Sequence, residues 1–200
     1  MIESLLAGLA ATTPAEGISV ALGLAYSILA IKRNRWCWVA GGVGSAILAV
    51  LAWRARLPMQ SALQGYYVVM SVYGLWRWSK EQGEATRSVA TLPLKMHLLA
   101  GAVILLASAM SSRLLAGQTL AAWPFLDSLT TWGSLFATWL VAQVKLENWL
   151  YFLVFDAISM FLFASQGLMF VALLFFVYLI VAAVGFISWF RTWRAQPQPT

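Results

Sequence analysis

Residues 156–191 read DAISMFLFASQGLMFVALLFFVYLIVAAVGFISWFR, and between Asp156 and Arg191 no charged side chain occurs. An α-helix rises about 1.5 Å per residue, so roughly 20 apolar residues cross a hydrocarbon core of about 30 Å. The uncharged run is too long for one crossing. Its only polar break with a glycine is Ser165, Gln166 and Gly167, which places the end of one helix and the start of the next there.

The rest of the chain has the same character. Over 200 residues it is 62% hydrophobic and 10% charged, with a mean hydropathy of +0.79, far too apolar for a domain whose surface faces water. Lipid offers no hydrogen-bond partners, and the polar/apolar alternation of a membrane barrel is missing, so the expected fold is all-α. Charge clusters divide the chain into seven predicted spans, at about 15–32, 36–53, 57–79, 94–114, 124–144, 147–164 and 167–190, within a single membrane domain. The longest polar stretch, SKEQGEATRSVATLP at 79–93, is expected to be a loop or surface helix.

Of the 13 Lys and Arg residues, only Arg54, Arg56 and Arg113 fall at one set of span ends. Lys32, Arg33, Arg35, Arg77, Lys80, Arg87, Lys95, Lys145, Arg191 and Arg194 fall at the other. The positive-inside rule then puts the amino terminus outside and the carboxyl terminus in the cytoplasm. Anionic lipid head groups account for the net charge of +6 without nucleic acid. Glu3 and Glu16, with no Lys or Arg among the first sixteen residues, do not read as a secretory leader. The single Cys37 reads as a small buried hydrophobe, and His97 has no second ligand at metal-binding spacing.

A single constant offset, the one that carries Trp38 onto Trp149, also carries Leu24 onto Leu135, Leu63 onto Leu174, Tyr67 onto Tyr178, Gly74 onto Gly185 and Trp78 onto Trp189. Coincident Trp, Tyr and Gly across three segments imply a duplication. Spans one to three form one half and spans five to seven the other, with span four as connector, a 3+1+3 plan. Spans one and five point the same way, so the halves are parallel repeats, and bundles of this kind bind solute near the bilayer midplane between them.

Asp156 lies nine residues past Glu147, roughly 14 Å along the helix axis and therefore near mid-bilayer. A central acid costs about 2.5–3.5 kcal/mol on insertion scales, so it is expected to face a cavity and contact ligand; a structural acid bonded to a neighbour is the alternative. Trp149, Phe152, Asp156, Ser159 and Phe163 recur at helical spacing on one face, a surface suited to a flat cationic heteroaromatic ligand. Interfacial anchoring at Trp149 and plain packing at Phe152 are the competing roles. In span three, Gln60, Gln64, Tyr67, Ser71, Gly74 and Trp78 share a face, where Gln64 and Tyr67 either join helices or grip a polyol. On the matching face of span seven only Tyr178 is polar. Trp78 and Trp189 read as interfacial belt residues, Gly41, Gly42, Gly44 and Ser45 as close-packing positions, and Asp127, after Pro124, as a helix-start residue. No phosphate loop, metal cluster or Ser/His pair is present, and two Asp residues lack the setting of an intramembrane protease, so no catalytic residue, metal or cofactor is expected.

The second-half stretch LENWLYFLVFDAISMFLFASQGLMFVALLFFVYLIVAAVGFISW and the first-half ALQGYYVVMSVYGLWRW resemble the PnuC family of nicotinamide riboside transporters, over about residues 17–193. The resemblance implies a SWEET-like 3+1+3 fold, a homotrimer in the bacterial inner membrane, and facilitated diffusion of a B-type vitamin. A cytoplasmic kinase partner would trap the vitamin by phosphorylation. The family's Trp-x-x-Trp motif falls on Trp149 and Phe152, and Asp156 stands where nicotinamide riboside transporters are expected to carry Asn. Related branches carry thiamine or riboflavin, so a thiamine transporter is the alternative, and a non-transporting scaffold or receptor a more distant one. The implied roles are Asp156 as acceptor or countercharge, Trp149 and Phe152 as stacking surfaces, and Gln64, Tyr67 and Tyr178 as hydrogen-bonding partners.

Overall fold

The computed structural model describes residues 13–56, 58–80, 88–114 and 123–196, without the side chains of residues 58 and 59. Glu3, Arg87 and the charged middle of the polar stretch, residues 81–87, lie outside them. Among the described residues the fold is seven α-helices and no strand: α1 Pro14–Ile31, α2 Trp36–Arg54, α3 Pro58–Lys80, α4 Leu94–Leu114, α5 Pro124–Ala142, α6 Asn148–Ser165 and α7 Met169–Ala195. Each overlaps one predicted span, and α7 runs past its predicted end through Arg191 and Arg194.

Local chemistry fixes these ends. At the start of α1, the Thr13 side chain accepts from the Glu16 backbone N–H while the Glu16 carboxylate accepts from the Thr13 N–H, with Pro14 in the first turn. At the end of α6, Gly167 takes φ +78°, the Leu168 N–H bonds back to the Phe163 carbonyl at 2.9 Å, and the Gly167 N–H to Ala164 at 3.0 Å. This Schellman cap separates α6 from α7 at the break visible in the sequence. Helices α1 and α5 end the same way, with Arg33 (φ 56°) and Val144 (φ 52°) in the left-handed position.

Five helices, α1, α2, α4, α6 and α7, are long and apolar enough to cross a membrane. Helices α3 and α5, at 23 and 19 residues, match them in length and fall short in hydropathy because polar residues interrupt them. On α3 these include Gln60, Gln64 and Ser71, and on α5 Asp127, Thr130, Ser134 and Thr138. The polar groups have an interior destination, described below.

Helix α2 packs between α1 and α3, and α6 between α5 and α7; thinner contacts join α3 to α5 and α1 to α7, and α4 packs on α5. Each triplet is centred on a tryptophan seated over a glycine. A Cβ on Gly74 would fall 2.2 Å from the Trp38 indole, and one on Gly185 would fall 2.6 Å from that of Trp149, so only glycine admits the rings. Trp38 meets Trp78 edge-on at 5.5 Å and 84°, and Trp149 meets Trp189 at 5.4 Å and 90°. These contacts recur at the offset that aligns the sequences. The α1–α2 and α5–α6 contacts recur with roles exchanged: Leu22 packs on Gly44, whereas Phe155 packs on Gly133.

Trp78 and Trp189 were expected in an interfacial belt, but both are fully buried. The cause is a pair of crossing hydrogen bonds. Trp78 Nε1 donates to the Ala142 carbonyl at 3.2 Å, and Trp189 Nε1 donates to the Ile31 carbonyl at 3.0 Å. Ile31 and Ala142 are the last residues of α1 and α5, where helix geometry leaves carbonyls without an intrahelical partner. Each triplet thus caps the other's first helix through an indole.

After α3, the described chain resumes as an extended segment on the α5–α6 turn. The Ala90 N–H donates to Val144 at 3.1 Å, the Leu146 N–H to Ala90 at 2.9 Å, and the Leu92 N–H to the Glu147 carboxylate at 2.8 Å. His97 extends this docking from α4, with Nδ1 3.0 Å from the Tyr151 hydroxyl and Nε2 3.7 Å from Glu147. The histidine without a partner in sequence is therefore a bracket between α4 and α6.

Candidate functional site

A cavity of about 460 Å³ lies between the two triplets and is lined by every helix except α4. It reaches exposed Gln60 and Asp127 at one end and stops at buried Ala30, Trp38, Val141 and Trp149 at the other. All six residues singled out from the sequence line it: Gln64, Tyr67, Trp149, Phe152, Asp156 and Tyr178. The predicted α6 face is continuous, since Ser159 and Phe163 line the cavity too.

Asp156 is 8% exposed, and among the described residues its carboxylate makes no hydrogen bond or ion pair. It is within electrostatic reach of the Tyr67 and Tyr178 hydroxyls, which come from α3 and α7 and correspond to each other in the repeat. The acid is therefore flanked by one phenol from each half and is not consumed by either. Asp127 and Asp156 are the only charged residues lining the cavity among the described residues. Among the described residues its wall thus combines two acidic side chains with aromatic rings and a scatter of hydroxyls.

Trp149 lines the cavity at 4% exposure; Gly185 backs its indole and Trp189 meets it edge-on, so packing fixes the ring. Phe152 and Gln64 line the wall, Gln64 at 9% exposure. Tyr178 reaches from α7 across to α1, where a Cβ on Gly23 would lie 2.8 Å from its hydroxyl oxygen. Gly23 is thus a positioning residue for Tyr178. Gly23→Ala is expected to displace the hydroxyl and weaken ligand binding about threefold to tenfold, the worth of one hydrogen bond. In a Tyr178→Phe background, whose ring ends about where ordinary contact begins, the same change is expected to do nothing further; an additive effect in the double variant would refute the assignment.

Several lining residues carried no signal in the sequence. Asp127 was read as a helix-start residue; it does sit in the first turn of α5, and it also stands at the cavity mouth beside a second chamber of about 110 Å³ shared with Thr130, Ser159 and Phe163. Tyr26 and Trp38 line the closed end, Tyr26 against Gly41, whose place in the close-packed row was legible while the partner was not. Among the described residues no group of three His, Cys, Asp or Glu side chains is placed to hold a metal ion.

Comparison with known proteins agrees with this architecture. Two relatives, each called "Nicotinamide riboside transporter PnuC", come from Escherichia coli (strain K12) and Shigella flexneri; each is 22% identical over 207 residues, covering 90% of this chain and 87% of the relative. A solved structure, "Crystal structure of the Vitamin B3 transporter PnuC", shares the fold with a TM-score of 0.72 at 19% identity, over 92% of this chain and 83% of that one. Residues 13–191 match the nicotinamide mononucleotide transporter family, and a match over that much of the chain, on a helical bundle with a central cavity, establishes that the protein belongs to this family.

Proposed function

We propose that the chain carries nicotinamide riboside across the bacterial inner membrane. It is a multi-pass transporter and not an enzyme. The observation that carries the substrate reading is the acidic lining of the cavity: two Asp side chains and no base among its described lining residues, with aromatic rings beside them. Nicotinamide riboside is a flat pyridinium cation bearing an uncharged sugar, and both parts suit such walls. The mononucleotide adds a phosphate dianion, which would face Asp156 and Asp127 with no Lys or Arg to offset it.

Transport follows from the halves. In this reading about residues 15–79 and 124–190 form two parallel three-helix repeats joined by a connector at about 94–114, a SWEET-like arrangement supported by the recurrence of contacts at one offset. Ligand binds between them, and rocking one half against the other exposes the cavity alternately. The Lys- and Arg-rich end is cytoplasmic, so the cavity opens outward toward Asp127 and is sealed inward by the tryptophans. No built site for a coupling ion is required: movement is facilitated diffusion, and phosphorylation by a cytoplasmic kinase makes it one-way. The working form is a homotrimer with one path per protomer.

Liposomes containing the purified protein, an enclosed nicotinamide riboside kinase and Mg-ATP test this. Radiolabelled nicotinamide riboside is expected to accumulate inside, and without kinase to reach only the external concentration. Uptake of thiamine or riboflavin in place of the riboside would overturn the substrate, and accumulation without kinase would overturn facilitated diffusion.

A further inference from the structure

The cavity lining repeats between the halves on the central helix of each triplet. On α2 it includes Trp38, Gly41, Ser45 and Leu48, and on α6 Trp149, Phe152, Asp156 and Ser159. Both sets step by 3, 4 and 3 residues, and the offset that aligns the two sequences carries the first set onto the second. Ser45 is thus the first-half counterpart of Asp156.

Packing on either side fixes where Ser45 points. At about 100° per residue it lies on the α2 wheel between Gly41, which meets Tyr26 of α1, and Gly42, which meets Ser71 of α3. Its side chain therefore leaves α2 in the gap between these two neighbours, toward the cavity that it lines. Helices α2 and α3 are antiparallel and touch at Gly42 and Ser71, so one turn further out Ser45 comes level with Tyr67. Tyr67 is in turn within electrostatic reach of Asp156. The Ser45 hydroxyl is also uncommitted. Ser19, Ser27 and Thr138, which line the same cavity, each donate to the carbonyl four residues earlier, at 2.9, 3.1 and 2.8 Å; among the described residues half-buried Ser45 makes no hydrogen bond.

The two walls share a frame and differ in chemistry. Where the second half has the Phe152 ring and the Asp156 carboxyl, the first has no side chain at Gly41 and a neutral hydroxyl at Ser45. A cation that stacks on a ring beside an acid finds both on one wall only. The other wall offers hydrogen bonding without charge.

We propose that Ser45 is a ligand-contacting, specificity-determining residue, whose hydroxyl takes an uncharged polar group of the ligand across the cavity from Asp156 and so fixes the ligand with its ring toward the second half. This rests on the riboside reading above and deepens it. In nicotinamide riboside the group is a ribose hydroxyl or the carboxamide. The close packing expected around Ser45 falls to the three glycines beside it, which meet Tyr26, Ser71 and Leu22.

Ser45→Ala removes a hydroxyl with no partner among the described residues, so the unliganded variant is expected to melt no lower than the parent protein. Its Kd for nicotinamide riboside, by calorimetry on purified protein, is expected to rise about threefold to tenfold. 1-Methylnicotinamide, which has the pyridinium and carboxamide but no sugar, identifies the group: weakening of the riboside alone assigns the ribose, and weakening of both ligands assigns the carboxamide. An exchange variant tests the facing arrangement. Asp156→Ser alone is expected to weaken the riboside about 100-fold, and adding Ser45→Asp to regain about tenfold of that loss, because an acid returns at the same depth on the opposite wall without a ring beside it. An unchanged riboside Kd in Ser45→Ala overturns the contact, and a folded exchange variant that binds no better than Asp156→Ser overturns the arrangement on which it rests. Failure of the unaltered protein to bind the riboside is seen before any substitution and overturns the riboside reading itself.

Discussion

Asp156→Ala is expected to weaken nicotinamide riboside binding by about 100-fold or more without lowering the melting temperature of the unliganded protein. The two halves of that expectation have one cause. A carboxylate near mid-bilayer costs about 2.5–3.5 kcal/mol, and nothing among the described residues pairs with Asp156 to offset it. Removing it takes away a destabilising group from the empty protein. With a cation bound, the same carboxylate supplies a charge-assisted contact of about 1.5–3 kcal/mol, in surroundings where a desolvated cation over an aromatic face adds about 2 kcal/mol. Each 1.4 kcal/mol is tenfold in affinity.

Asp156→Asn separates charge from hydrogen bonding. It keeps the acceptor oxygen and the volume, and it installs the residue that resemblance leads one to expect here in nicotinamide riboside transporters. An intermediate loss of about tenfold is expected, because a neutral amide still accepts from the ligand but no longer offsets its charge. Calorimetry on the parent and both variants decides the matter: if Asp156→Ala binds as tightly as the parent while folding normally, the acid is structural and the cationic reading of the cavity fails.

How much of this was legible follows from which forces are local. The seven helices come from apolar length, and the α6–α7 break from Gly167, because a left-handed cap favours glycine. Arg33, Arg56 and Val144 take the same left-handed conformation without a glycine to announce it, so those helix ends were placed from charge and not from cap chemistry. The α6 face of the site was legible because helical periodicity lies within one segment. Tyr26 sits in a helix whose composition is apolar on nearly every side, and nothing near it in sequence says which face meets the cavity. The belt reading of Trp78 and Trp189 failed for a related reason: indole N–H groups beside Lys80 and Arg191 look interfacial, and their acceptors, Ala142 and Ile31, lie in the opposite half of the chain. Periodicity finds faces, whereas partners across a seam require the fold.

Those two tryptophans carry the other large effect. The bonds from Trp78 to Ala142 and from Trp189 to Ile31 both cross between the triplets at the closed end of the cavity, so halves that part there break both. Replacing either Trp by Phe leaves a helix-terminal carbonyl without its donor in the closed form only, at a cost of about 1–3 kcal/mol. The open form loses nothing, so the equilibrium moves toward it. The two bonds share neither donor nor acceptor and both break in the same opening, so their effects are expected to add, and Trp78→Phe with Trp189→Phe should raise the open fraction about 100-fold. Cys37 is a built-in reporter, being the chain's single cysteine, fully buried, and adjacent to Trp38 at that end. Alkylation by N-ethylmaleimide is expected to be slow in the parent protein, about tenfold faster in each single variant and about 100-fold faster in the double one. Faster alkylation with a retained cooperative melt distinguishes opening from unfolding. An unchanged alkylation rate in the folded double variant would mean that the crossing bonds hold side chains in place and do not hold the gate.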